Sequence, residues 1–120
     1  MIRPILAMQD PYSAAKEFEK AGWKLDFSNP RESGDPLVGL SLYGNSILLG
    51  TMEEKYVKKD AIPFLGTGIE FYVTVPKDRL AEIYKEHLCF HPTELGKQLW
   101  GDVAFEVNIL GYKFMIAAGQ

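Results

Sequence analysis

Three residues in the second half of the chain have side chains that bind metals or act as nucleophiles. His87, Cys89 and His91 alternate along the sequence, so an extended segment would place them on one face. The helical pattern before them runs to about Leu88, however, so the group crosses the end of a helix. Two histidines and one cysteine also leave a structural zinc site one ligand short, and nothing places Cys89 in a cleft beside a base. We interpret the group as a helix-end histidine, a small buried thiol and a loop histidine.

Charged and aromatic side chains recur on one face of three predicted strands. Alternation gives each strand an apolar face that packs on a helix and a second face that points the other way. The second faces carry Arg3, Ile5 and Ala7; Glu70, Tyr72 and Thr74; and Lys113, Met115 and Ala117. Together these second faces are expected to form a cup-shaped surface, with Tyr43 and Trp100 near its rim. Trp23 follows the helix-ending Gly22 and is predicted to be a core or interface residue. Flat rings and a few charges suit an organic ligand, although an ion pair between Arg3 and Glu70 could instead fill the cup.

An internal repeat positions these strands. Residues 44–50 read like residues 111–117, and the same offset of 67 (111 − 44) brings residues 2–8 onto residues 69–75. A repeat present only twice indicates two modules closing around one shared cleft rather than a solenoid. Module one spans about residues 1–50, a charged connection about 51–66, and module two about 67–120, all within one domain.

Each module follows the same predicted order of strand, helix and three strands. In module one, Asp10-Pro11 opens the helix, Gly22 ends it, and Gly44-Asn45 forms a hairpin turn. In module two, the helix spans residues 76–88, a short strand lies near Phe90, and residues 91–97 form a loop. The remaining strands are predicted over residues 2–8, 23–27, 37–43, 46–50, 69–75, 100–107 and 112–117. This order favours an α+β fold with helices backing curved sheets.

The composition excludes several classes of protein. The chain of 120 residues is 47% hydrophobic and 24% charged, the balance of a globular domain. The net charge of −3 argues against a general nucleic-acid binder. A single cysteine excludes an internal disulfide, and the sequence lacks a membrane span and a signal peptide, so we expect a cytoplasmic protein without nucleic-acid or membrane partners.

The sequence resembles the vicinal oxygen chelate superfamily, also called the glyoxalase, bleomycin-resistance and dioxygenase superfamily. The resemblance rests on three stretches in order: residues 4–23, residues 68–75 before the second helix, and residues 99–107 followed by Gly111 and a final strand. It implies two βαβββ modules whose curved mixed sheets enclose a shared cleft, with the helices outside. It also implies a homodimer.

The enzymes of this superfamily hold a divalent metal with residues on the first and last strands of each module. The matching positions here are Arg3, Leu48, Glu70 and Met115. Only Glu70 could bind such an ion, because arginine stays protonated, leucine has no donor atom and a thioether suits soft ions. The usual Asp-Pro-Asp-Gly turn before the last strand is also replaced, here by residues 108–111. These departures from the superfamily's pattern predict that its metal site is absent, and we expect no other cofactor.

Three functions follow from these observations. The first is a metal-free, bleomycin-resistance-like protein that binds a small aromatic or charged molecule, as in drug or toxin sequestration. Its candidate ligand-binding residues are Arg3, Tyr43, Leu48, Glu70, Tyr72, Trp100, Lys113 and Met115. The second is a lyase, isomerase or dioxygenase with a divalent metal and Glu70 as base or ligand, assisted by a residue such as Glu106. The third is a structural module without a small-molecule ligand.

Overall fold

The structure is a computed structural model that describes residues 2–99 and 101–119. The chain divides into two compact units, residues 1–65 and residues 66–120. Each unit contains one four-stranded mixed sheet and one α-helix, so the fold class is α+β, as the sequence predicts. No helix in the described part of the chain is long and apolar enough to cross a membrane.

The first unit contains four strands and one helix in the predicted order. Its elements are β1 (Ile5–Ala7), α1 (Pro11–Lys20), β2 (Lys24–Ser28), β3 (Val38–Leu42) and β4 (Asn45–Gly50), with 3-10 turns at Arg31–Ser33 and Lys59–Phe64. The strand order in the sheet is β1-β4-β3-β2. β1 pairs with β4 in parallel, and the other pairs are antiparallel.

The ends of α1 follow from the local sequence. The Asp10 carboxylate accepts a hydrogen bond from the backbone N–H of Tyr12, and Pro11 occupies the first turn, where no amide donor is needed. Gly22, with φ of 94°, takes the left-handed conformation just beyond the last turn. The helix buries Phe18 against the Trp23 ring, with the two ring centroids 5.3 Å apart and nearly perpendicular. Trp23 is therefore a core residue, as predicted.

The second unit repeats this architecture. Its elements are β5 (Glu70–Val75), α2 (Leu80–Glu86), β6 (Gly96–Lys97), β7 (Val103–Ile109) and β8 (Tyr112–Ala118), with 3-10 turns at Lys77–Arg79 and Leu88–Phe90. The strand order is β5-β8-β7-β6, and β5 pairs with β8 in parallel. The core of this unit includes Phe105, Phe114, Ile116 and Ile83, none more than 1% exposed.

Three predicted elements are wrong in detail. The predicted helix over residues 76–88 has α-helical geometry only in α2, because 3-10 turns flank it on both sides. The strand predicted near Phe90 is one of these turns, held by a hydrogen bond from the Phe90 N–H to the His87 carbonyl. The second strand of this unit is β6, which lies inside the loop predicted over residues 91–97. Just before β6, Thr93 exchanges two hydrogen bonds with the backbone of Glu106 in β7.

The repeat governs strand register and turns as well as element order. Ile5 lies opposite Leu48 in the first sheet, and their counterparts 67 residues later, Tyr72 and Met115, lie opposite each other in the second. The turn before the last strand has two successive residues with positive φ in both units. These pairs are Tyr43-Gly44, with φ of 47° and 85°, and Leu110-Gly111, with φ of 52° and 93°.

The first hairpin turn was predicted one residue too late, at Gly44-Asn45. In the structure Leu42 pairs with Asn45, so Tyr43 and Gly44 form the turn. A two-residue turn with positive φ at both positions matches the twist of the strands it joins, and glycine takes the second position without strain. Asn45 lies just after the turn, and its side-chain Nδ2 donates a hydrogen bond to the Leu42 carbonyl across the turn, at 2.9 Å.

Candidate ligand-binding faces

The second sheet has one face buried beneath α2 and one open face. On β5, Val73 and Val75 are at most 5% exposed, whereas Glu70, Tyr72 and Thr74 are exposed. Strand pairing extends this open face across the sheet in rows, because opposed residues share a face. One row is Tyr72, Met115 and Glu106, and the next is Glu70, Lys113 and Asn108.

Polar contacts organise the open face of the second sheet. The Tyr72 hydroxyl donates a hydrogen bond of 2.6 Å to the carboxylate of Asp102, the residue just before β7. The Lys113 ammonium lies 3.6 Å from a carboxylate oxygen of Glu106. The carboxylates of Glu70, Asp102 and Glu106 outnumber the single ammonium of Lys113, so this group of side chains carries a net negative charge at neutral pH. Beside it, half of the Tyr72 side chain is exposed, and Met115 is half-buried.

The open face of the first sheet is more apolar. Its central row is Ile5, Leu48, Gly39 and Phe27, taken across β1, β4, β3 and β2. A side chain on Gly39 would collide with the ring of Phe27, so the ring lies directly over the glycine. Ile5 is 44% exposed, and Leu48 and Phe27 are half-buried.

The two central rows occupy the same place in the repeat with different chemistry. The repeat mates are Ile5 and Tyr72, Leu48 and Met115, and Gly39 and Glu106. One unit therefore presents aliphatic groups and a covered glycine where the other presents a phenol, a thioether and a carboxylate.

Most of the predicted ligand-binding residues can be placed within their own unit. Four of them, Glu70, Tyr72, Lys113 and Met115, lie together on the open face of the second sheet as two opposed pairs. In the first unit, Leu48 lies on the open face, Arg3 is exposed just before β1, and Tyr43 is 52% exposed in the β3–β4 turn. Trp100 lies outside the described residues.

The possible ion pair between Arg3 and Glu70 joins different units and stays a prediction. Sequence reasoning missed Phe27 and Asp102 and named Glu106 only as a possible helper of Glu70. Glycine inside a strand is a known sign that another group approaches the backbone closely, and Gly39 was the available signal for Phe27.

The histidine and cysteine group separates in the structure. His87 is fully buried, and its Nδ1 lies 2.7 Å from the Ile83 carbonyl oxygen. Burial lowers the pKa of His87, an effect that this hydrogen bond partly offsets. His91 is exposed, as predicted for a loop histidine, and has a φ of 54°. Cys89 is exposed, so the prediction of a buried thiol is wrong: it lies in the Leu88–Phe90 turn, which leaves its side chain outside the core.

Carboxylate, histidine and cysteine side chains do not form a metal-binding cluster among the described residues. Within residues 2–99 and 101–119, no group of three or more such side chains could hold an ion. At the four positions that the resemblance assigns to metal ligands, Glu70 is the only residue with a suitable donor.

Solved structures of other proteins share the architecture of this chain. A bleomycin-binding protein complexed with bleomycin matches 100% of this chain and 98% of its own, with a TM-score of 0.71 and 14% identity. A member of the glyoxalase/bleomycin resistance protein/dioxygenase superfamily from Sphaerobacter thermophilus matches 99% of this chain and 97% of its own, with a TM-score of 0.67 and 19% identity. The chain has the fold of this superfamily.

The superfamily fold also occurs in an enzyme similar to this chain. A lactoylglutathione lyase from Agrobacterium tumefaciens matches 99% of this chain and 93% of its own, with a TM-score of 0.63 and 16% identity. No family model and no curated protein matches the sequence. The resemblance stated from the sequence is thus confirmed at the level of the fold, which is shared by binding proteins and enzymes.

Proposed function

We propose that this protein is a metal-free binding protein for a small organic molecule that carries a planar ring and a positive charge. The observation that carries the proposal is the open face of the second sheet, where Tyr72 and Met115 lie beside the carboxylates of Asp102 and Glu106. A ring stacks on the phenol and thioether, and the excess carboxylate charge attracts a cation.

The chemistry of the repeat mates supports binding over metal catalysis. Leu48 and Met115 provide apolar surface at positions where the superfamily's enzymes provide metal ligands. The similar bleomycin-binding protein holds an organic molecule on the same fold. By analogy we propose drug or toxin sequestration in the cytoplasm by a homodimer, with Arg3, Tyr43 and Trp100 as further ligand-binding residues.

A panel of planar organic cations, including bleomycin, with neutral analogues of similar size tests the proposal by calorimetric titration in excess chelator. We expect saturable binding of at least one cation, stronger than that of its neutral analogue. Tyr72→Ala should weaken it roughly tenfold, because a ring contact and its buried area contribute about 1–2 kcal/mol. Tyr72→Phe is the matched control, since it keeps the ring and loses only the hydrogen bond to Asp102. Absence of saturable binding across the panel would contradict the proposal, as would unchanged affinity in Tyr72→Ala.

An enzyme is the second candidate, favoured by the similarity to a lactoylglutathione lyase and by the exposure of Glu70. In that case Glu70 would act as a general base or as a metal ligand on the open face of the second sheet. Metal-dependent turnover that Glu70→Gln abolishes would favour the enzyme over the binding protein.

A further inference from the structure

The segment that follows β4 returns to the open face of the first sheet through one aromatic side chain. A Cβ atom on Gly50 would lie 3.5 Å from Cε2 of Tyr56, 3.0 Å from Cγ2 of Ile5 and 3.5 Å from Cδ2 of Leu37. The Tyr56 ring therefore lies over the glycine at the end of β4, next to Ile5. The ring thus lies beside the apolar row of this face, at the end of β4, and it is only half-buried.

A carboxylate from the β2–β3 loop fixes that ring. The Tyr56 hydroxyl donates a hydrogen bond to Asp35 Oδ1 at 2.8 Å, and the Lys55 ammonium lies 3.3 Å from the same oxygen. Lys55 also lies 5.0 Å from the centroid of the Tyr56 ring and 3.6 Å from a Glu53 carboxylate oxygen. Asp35 thus receives two donors from the connecting segment.

The loop that carries Asp35 is itself anchored on the first unit. The Asn29 side chain donates to the Asp35 carbonyl at 3.1 Å, and the Asn29 N–H donates to the Leu37 carbonyl at 2.9 Å. The Arg31 guanidinium stacks 4.3 Å from the centroid of the Tyr12 ring and pairs with Asp10 at the start of α1. The loop therefore holds Asp35 in place, so that its carboxylate can position the Tyr56 ring.

The ionisation behaviour of the group agrees with this geometry. The hydrogen bonds from Tyr56 and then from Lys55 hold the pKa of Asp35 below its ordinary value. The hydrogen bond to Asp35 raises the pKa of the Tyr56 phenol, and burial adds to the effect. The carboxylate is charged and the phenol is protonated near neutral pH, which is the state in which the phenol donates.

We infer that Tyr56 is a ligand-contacting residue of the first unit's open face and that Asp35 is its positioning residue. The inference rests on the proposed function, since it names a residue on the first unit's open face that would contact a ligand of the same chemical class. The Lys55 ammonium lies near the carboxylates of both Asp35 and Glu53 and offsets one of their two negative charges, so this end of the face keeps an excess negative charge that suits a cationic ligand. The connecting segment is thereby part of the binding surface as well as a link between modules.

Calorimetric titration of the panel cation that binds most tightly, together with amide hydrogen exchange of residues 51–66, tests the inference. Asp35→Asn and Tyr56→Phe should each weaken binding roughly fivefold and speed exchange in this segment, because both weaken the contact that orients the ring. Tyr56→Ala should weaken binding further by removing the ring. Glu53→Gln is the matched control: it changes the carboxylate 3.6 Å from the Lys55 ammonium, keeps the hydrogen bond between Tyr56 and Asp35, and should leave affinity unchanged.

The outcomes separate this inference from the proposed function. If the wild-type protein binds the cation and neither Asp35→Asn nor Tyr56→Ala changes the affinity, Tyr56 does not contact the ligand and the inference is overturned. If the wild-type protein binds no member of the panel, the proposed function fails. In that case, faster amide hydrogen exchange of residues 51–66 in Asp35→Asn than in the wild type would establish Asp35 as a structural anchor and overturn its role in binding.

Discussion

Replacing Phe105 with alanine should lower the free energy of unfolding by about 3–5 kcal/mol, the usual cost of removing a buried aromatic ring. Phe105 lies on β7 with no exposed surface, opposite Ile116 of β8. Its ring centroid is 5.2 Å from that of Tyr84 and 5.8 Å from that of His87, so it joins the sheet to the helical segment of the second unit. The truncation removes apolar contact and leaves a cavity between these elements. Chemical denaturation measured by circular dichroism gives the value.

The matched control is the same truncation at an exposed phenylalanine. Phe64 is 68% exposed in the 3-10 turn after β4, and Phe64→Ala should cost about 1 kcal/mol or less. Equal losses in the two variants would contradict the packing described for Phe105.

Acidification should destabilise the protein through His87. Because burial lowers the pKa of His87 in the folded state below its ordinary value of 6.5, the unfolded chain takes up a proton first as the pH falls. The contribution of the neutral ring is fully present above about pH 6.5 and is lost as the pH falls from there toward the folded-state pKa. Over this window the free energy of unfolding should fall by at most about 1.4 kcal/mol per pH unit.

Denaturation at a series of pH values, in the wild type and in His87→Gln, measures this effect. Glutamine can still donate a hydrogen bond to the Ile83 carbonyl but does not titrate, so the slope between pH 7 and pH 5 should become shallower. His91→Gln changes an exposed histidine and should keep the wild-type slope. Identical slopes in the wild type and His87→Gln would show that His87 does not control this pH range. The carboxylate of Asp35 has its pKa lowered from 3.8 and titrates below this window.

The sequence predicts most of the fold because its two strongest signals are periodic. Alternation in residues 69–75 and 112–117 predicts which side chains are buried, and the structure buries Val73, Val75, Phe114 and Ile116 accordingly. The repeat offset of 67 also applies to the strand register and to the two residues of each hairpin turn, which were not predicted from the sequence. Short elements are not predicted correctly, because β6 has only two residues, which are too few to show a periodic pattern.

The candidate site is less predictable because its contacts depend on loops. Asp35 and Asp102 lie outside helices and strands. Asp35 accepts a hydrogen bond from the Tyr56 hydroxyl and Asp102 from the Tyr72 hydroxyl, and in both pairs the partners are distant in sequence. No local pattern encodes such pairs. The sequence predicts residues 51–66 only as a charged connection, yet Lys55 and Tyr56 bring this segment back to the first sheet.

Under the proposed function, the duplicated frame holds an organic ligand in place of a metal. Native mass spectrometry of the freshly purified protein, before and after addition of excess zinc, manganese or iron(II), tests it most directly. We expect no divalent ion bound at one per chain, because Glu70 alone supplies too few ligands. One tightly held metal per chain that disappears in Glu70→Gln would contradict it.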